Sequence, residues 1–184
     1  MSEYRRAYIP GGTFFFTVVT FDRIHSLTLE SARFILRESW KNVQSKYPFK
    51  VHAICLLSDH LHCIWTLPEH DADYPKRWRA IKALFTQKYI KTVGFEGHRN
   101  KSRERKGEAA VWQRRYWEHT MRDEEDFNRH FDYIHYNPVK HGLVKRPLDW
   151  PWSSFHRYLS KGFYGEDWGY TDDDLFMSTG YFGE

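Results

Sequence analysis

The chain has 184 residues, enough for one domain with a real hydrophobic core. Its two cysteines, Cys55 and Cys63, exclude a disulfide-framed scaffold, and no stretch is long and apolar enough to span a bilayer. The net charge of +4 is unevenly spread: thirteen Lys and Arg face three Glu between Lys76 and Arg115, whereas Gly165 to Glu184 holds six acids and no Lys or Arg. A basic middle and an acidic end point to a polyanionic partner and to a tail that masks the basic surface. The plain alternative is a solvated surface with local charge bias. Aromatic residues reach 18%, which serves a core and also stacking on unpaired bases. The start "MSEYRRAYIP" carries no apolar signal segment, so buried reduced thiols and a cytoplasmic location are expected.

In chain order, "GGTFFFTVVTFDR" reads as a strand from about Thr13 to Phe21 after a Gly-Gly breaker. "TLESARFILRESWKNVQSKYP" reads as a helix capped by Thr28, with Phe34, Ile35, Trp40 and Val43 as its apolar stripe and Pro48 as its stop. "FKVHAICLLS" and "HLHCIWTLP" are two strands joined tightly at Ser58 and Asp59. A second helix has Pro75 near its start and Gly94 after its end, with Trp78, Ile81, Leu84 and Phe85 on one face. "FEGHRNKSRERKGEAA" reads as a mobile polar loop, and "VWQRRYWEHTM" as a strand. A third helix begins at the cap Asp123 and is closed by Pro138 within a residue or so. A short fourth helix near "WSSFHRYLS" follows. The first six elements give β-α-β-β-α-β, the order of a ferredoxin-like α+β domain with one antiparallel sheet. The third helix is then an addition that packs where its polar face meets the central strands. One domain over residues 1–164 and an acidic tail over 165–184 complete the expected organisation.

The unusual feature is "LLSDHLHCIW". Residues i and i+2 of a strand share a face, so His60 and His62 project together, opposite Leu61, Cys63 and Trp65. Two imidazoles at this spacing are half of a metal site. They are equally two hydrogen-bonded polar residues at a strand's start. Further histidines, His52, His119, His135 and His141, are available. On the third helix Tyr133 and Asn137 lie four residues apart on one face, away from the middle of the Phe127, Phe131 and Ile134 stripe. Tyr is a competent covalent nucleophile, and an Asn oxygen suits Mg²⁺ or Mn²⁺. The alternative is a packed Tyr and an Asn that ends the helix before Pro138. Tyr136, the rival nucleophile, is turned about 100° from Asn137.

"HLHCIW", "RWRAIKALFTQKYI", "GEAAVWQRRYWEHTMRDEEDF", "YIHYNPVKHGLV" and "DWPWSSFHRYL", in this order within a stretch from about Tyr8 to Leu159, resemble the REP-associated tyrosine transposases, bacterial relatives of the single-tyrosine HUH transposases. His60-Leu61-His62 fits the HUH pattern. The insertion-sequence relatives carry Gln where Asn137 stands; Asn is the form of the REP-associated branch.

By that resemblance His60, His62 and Asn137 hold a divalent metal, Mg²⁺ or Mn²⁺, and Tyr133 is the nucleophile. The implied activity is cleavage and transfer of single-stranded DNA at repetitive extragenic palindromes, which fold as hairpins, through a 5′-phosphotyrosine link. The implied protein is a monomer. Lys82, Arg114 and Arg115, the latter two on the strand before the catalytic helix, are expected to hold DNA, and Lys140 to contact phosphate. Two other readings stay open: a hairpin-DNA-binding protein without chemistry, and a metal-dependent phosphoester hydrolase. Ile64, where a histidine-triad enzyme would continue the alternation, counts against the second.

Overall fold

The structure, a computed structural model, describes residues 8–94 and 96–170. The acidic run from Asp172 to Glu184, and with it the expected masking of the basic surface, lies outside the described residues. Among these, four strands, β1 (Thr13–Val19), β2 (Lys50–Leu56), β3 (His60–Thr66) and β4 (Trp117–Thr120), form one antiparallel sheet. Their order is β2-β3-β1-β4. Helices α1 (Glu30–Lys46) and α2 (Tyr74–Val93) supply the crossovers, α3 (Lys101–Lys106) precedes β4, and α4 (Glu124–Lys140) and α5 (Phe155–Leu159) follow it. This is the expected ferredoxin-like arrangement with an added helix.

Strand alternation divides the core into two. Phe14, Phe16, Val18, Leu61, Cys63 and Trp65 turn to one face, where they meet Trp40 and Val43 of α1 and Trp78, Ile81 and Phe85 of α2. Trp65 is fully buried, stacked on Trp78 at 4.4 Å and edge-on to Trp40 at 5.1 Å. Phe15, Ala53, Cys55 and Ile64 turn to the other face and pack against Tyr133 and Ile134 of α4. The sheet is therefore covered by helix on both sides, and α4 lies against β2 and β3.

Several boundaries differ from the sequence reading. The first strand stops at Val19, because the Thr20 hydroxyl bonds to the Asp59 and Ile24 carbonyls and a 3₁₀ turn, Phe21–Arg23, takes the chain away. Thr28 is not the α1 cap: Leu29 stands there without a side-chain bond, and the Thr28 carbonyl instead accepts from Arg33 Nε. α2 behaves as expected, with Pro in its first turn and Gly94 at φ 69 as its C-cap. The polar loop contains a helix, since the Asn100 side chain accepts from Arg103 N and Gly107 at φ 63 closes the turn. The strand before α4 is only Trp117–Thr120, so Arg114 and Arg115 precede it rather than belong to it. Pro138 does not close α4, which runs to Lys140. Proline fits helical φ; it removes the donor that the residue 134 carbonyl would have received and crowds that carbonyl, a cost the packing of α4 on the sheet offsets. The helix then resumes with His141 N donating to Asn137 O at 3.1 Å.

Candidate active site

β3 is flanked on both sides by paired strands, and its two histidines point toward α4 with 2% and 0% of their surface exposed. Buried imidazoles need partners. His60 Nδ1 donates to Asp59 Oδ1 at 2.7 Å. His62 Nδ1 is hydrogen-bonded at 2.9 Å to the hydroxyl of Thr17, its partner across the β1–β3 ladder. With the His60 ring held through Nδ1–H by a carboxylate, its basic lone pair is at Nε2, the tautomer that suits a ligand. The rings stand 4.9 Å apart, centre to centre, at 83°. With metal–nitrogen bonds of about 2.1 Å, two imidazoles on one ion have centres roughly 4.6 to 5.3 Å apart. The pair fits.

Asp59 is itself fixed. Its carbonyl accepts from Thr20 N, and its other carboxylate oxygen accepts from Arg23 Nη1 at 2.9 Å. Burial pushes this carboxyl up, but the bonds from His60 and Arg23 win and hold it well below the usual carboxylate range. Arg23 reaches Asp59 from a strained turn, with Asp22 and Arg23 at φ 50 and φ 51, in the left-handed region. Asp59 reads in the sequence as a turn residue; its place directly before His60 was the available signal.

α4 brings the remaining groups. Its N-terminus is capped by Asp123 and followed by Glu124, Glu125 and Asp126, which suits the helix dipole. Tyr133 is 4% exposed, with its ring 5.3 Å from that of His62. Lys140, seven residues on, donates from Nζ to the Tyr133 hydroxyl at 3.0 Å. Lys140 therefore meets the tyrosine directly, a role beyond the expected phosphate contact. Asn137 is fully buried one turn after Tyr133. Tyr136 sits on another face, packed near Trp168 at 6.4 Å.

The other basic candidates lie elsewhere. Lys82 donates to the Gln113 carbonyl at 2.5 Å, and Arg114 is paired with Glu108 at 2.6 Å. Both line a groove of about 690 Å³ beside α2, with Arg79, Trp112 and Tyr116. Arg115 is exposed next to it. Since Trp112 and Tyr116 pack into the α1–α2 core, this groove is across the sheet from the histidines. The structure joins Lys140 to the site and leaves Lys82, Arg114 and Arg115 away from it.

A second constellation, His119, Asp126 and His130, places three potential ligand atoms within 4.8 Å of one another. Its carboxylate already accepts from His119 at 2.7 Å, Arg122 at 3.2 Å and Arg129 at 3.0 Å. Burial raises Asp126, yet these donors hold it well below the usual range. The two rings lie stacked and nearly parallel, 4.6 Å apart at 11°. An anion neutralised by two guanidiniums clamps β4 to α4. It is the poorer metal site.

No family model matches the sequence. An Escherichia coli protein described as a REP-associated tyrosine transposase is 45% identical over 168 residues, which cover 91% of each chain. A Haemophilus influenzae protein of the same family description is 44% identical over 173 residues, 94% of this chain and 96% of that one. A solved REP-associated tyrosine transposase, bound to a REP hairpin, superposes with a TM-score of 0.80 at 41% identity and covers 100% of this chain and 98% of its own. With such identity sustained over nearly its whole length, the chain belongs to the REP-associated tyrosine transposase family.

Proposed function

We propose that the protein cleaves and rejoins single-stranded DNA beside REP hairpins through a 5′-phosphotyrosine intermediate. The observation that carries this reading is the meeting of Tyr133 with the paired histidines on one side and Lys140 on the other. A divalent metal, Mg²⁺ or Mn²⁺, held by His60, His62 and Asn137 would polarise the scissile phosphate and offset the charge that develops on it. Tyr133 Oη attacks phosphorus in line with the leaving 3′-oxygen, and the P–O3′ bond breaks. The phenol gives up one proton and the 3′-oxygen gains one, so the step is balanced. The Lys140 ammonium, 3.0 Å from the hydroxyl, favours the charged phenolate over the phenol during attack. The phosphotyrosine keeps the energy of the phosphodiester, so a second 3′-hydroxyl can reverse the step and join strands without a nucleotide cofactor. Asp59 serves by keeping the His60 imidazole in one tautomer and orientation, and Thr17 by orienting that of His62.

The partner under this reading is hairpin DNA, as in the solved relative's complex. The groove along Lys82 and Arg114, with exposed Arg115 beside it, offers cations for backbone phosphates. The protein acts as a monomer in the bacterial cytoplasm, with residues 1–164 as its catalytic domain and 165–184 as an acidic tail. Among the described residues no helix is long and apolar enough to cross a membrane.

The test is incubation with REP hairpin DNA carrying single-stranded flanks, with Mn²⁺ or Mg²⁺, beside Tyr133→Phe. A DNA adduct that survives denaturation, and is lost in the variant and with chelator, is the expected result. An adduct that persists in Tyr133→Phe moves the nucleophile to another residue. Tight binding without any adduct supports a hairpin-binding protein instead.

A further inference from the structure

α4 does not end at Asn137. The backbone N–H of His141 donates to the Asn137 carbonyl at 3.1 Å, so His141 continues the helical path one turn beyond Asn137 and two beyond Tyr133. Residues at this spacing share a face. That face looks onto β3, and the His141 ring stands 5.2 Å from that of His60, at 67°. His60 is thus the middle of three imidazoles, 4.9 Å from His62 on one side and 5.2 Å from His141 on the other. Both separations fall within the roughly 4.6 to 5.3 Å expected of two imidazoles on a single ion. The parallel pair His119 and His130 shows by contrast what two stacked histidines look like here, at 11°.

We infer that His141 is a further ligand of the ion held by His60, His62 and Asn137, and that it sets the metal preference of the site. The inference rests on the proposed metal role of the His60–His62 pair. Its chemical consequence is specific. Two imidazoles and an amide oxygen leave a site open to water and tolerant of Mg²⁺, which takes oxygen ligands and keeps several waters. A third imidazole removes one of those positions and favours first-row transition ions over Mg²⁺. His141 is exposed, whereas His60 and His62 are buried. The third ring would therefore reach the ion from the solvent side.

The experiment is metal binding to the full chain without DNA, so that catalysis plays no part. Mn²⁺ and Mg²⁺ affinities are measured by titration for the wild type, His141→Ala, His141→Gln and His60→Ala, with thermal melting as the check on folding. Electron spin-echo modulation of bound Mn²⁺ counts the directly coordinated imidazole nitrogens. The expected result is three such nitrogens in the wild type and two in both His141 variants. The ratio of Mn²⁺ to Mg²⁺ affinity should drop about tenfold or more on loss of the ring, because changes even in groups around a ligand cost 10- to 100-fold in affinity. Two nitrogens in the wild type, or an unchanged ratio in the folded His141 variants, overturns the inference. Loss of Mn²⁺ binding in His60→Ala together with wild-type behaviour of His141→Ala removes His141 alone. Unchanged Mn²⁺ binding in His60→Ala removes the metal site itself, and the inference with it.

Discussion

The two faces of the sheet are made from the same strands and solve different problems. On the α1–α2 face, Phe14, Phe16, Leu61, Cys63 and Trp65 are packed by rings and aliphatic chains from both helices. On the α4 face, one residue along each strand, stand Phe15, Thr17, His60, His62 and Ile64, with Asn137 and His130 descending from the helix. The first face removes apolar area from water and gains stability for every ring it buries. The second buries imidazoles, an amide and carboxylates, each of which costs free energy unless it is hydrogen-bonded. The fold can hold a polar site at its centre because the opposite face supplies the core.

Exchanging the roles of the two faces should break this division most visibly. His62→Ala is expected to lower hairpin cleavage by about a thousandfold or more, since metal stabilisation of a phosphoryl transition state is worth several kcal/mol. Its stability should fall by about 1 to 3 kcal/mol, from the lost ring and the lost bond to Thr17, too little to account for that loss of activity. Trp65→Ala, three residues on and facing the other way, is expected to cost about 3 to 5 kcal/mol of stability in denaturant titration. Any activity loss in Trp65→Ala should track unfolding alone. A fully active His62→Ala would contradict the division.

Smaller effects sharpen it. Asp126→Ala removes the acceptor shared by His119, Arg122 and Arg129, and should cost about 1 to 3 kcal/mol. Because folding holds Asp126 below its ordinary value, its contribution is complete above about pH 4 and is lost as pH falls further. The wild type should therefore lose, in that acid range, an increment of stability that the variant lacks. Thermal melts across pH measure it.

His135 gives the opposite kind of linkage. It is fully buried between Tyr164 and Ser154, at 3.0 and 2.8 Å, and Ser154 in turn bonds to the backbone of Ile54 in the edge strand. Burial, with Arg157 nearby, drives its imidazole down to about 3. The unfolded chain takes up that proton near pH 6.5, the native state only near pH 3, so stability falls as pH drops through this window. His135→Gln should flatten the slope in part, because burial also lowers His52 and His130. An unchanged slope would show that His135 is not buried in its neutral form.

Much of this was legible beforehand because it is periodic. The alternation around His60 and His62 declared a strand with two faces, and Tyr133 and Asn137 declared one side of a helix. What escaped detection was local competition and distance. α3 had its signals, an Asn cap and a closing Gly107, but they were hidden in a run of charge that reads as solvated loop. Pro138 looked like a stop because proline usually is one, yet packing of α4 on the sheet offsets a cost of about 3 kcal/mol. The pairing of Cys55 with Ser153, which seats the C-terminal segment on the free side of β2, joins positions far apart in the chain and has no local signature. Arg23 showed the same limit: it has its partner, Asp59, only through the fold, whereas Lys140 and Tyr133 meet at a spacing of two helical turns.

The place of β3 in the sheet has one further consequence. Paired to β1 on one edge and β2 on the other, it cannot detach without opening the whole sheet. Its backbone amides should be among the slowest in the molecule to exchange with heavy water, reporting global rather than local opening. The histidine pair is then already in place before any ion arrives, and no part of the binding free energy is spent on ordering the strand that carries it.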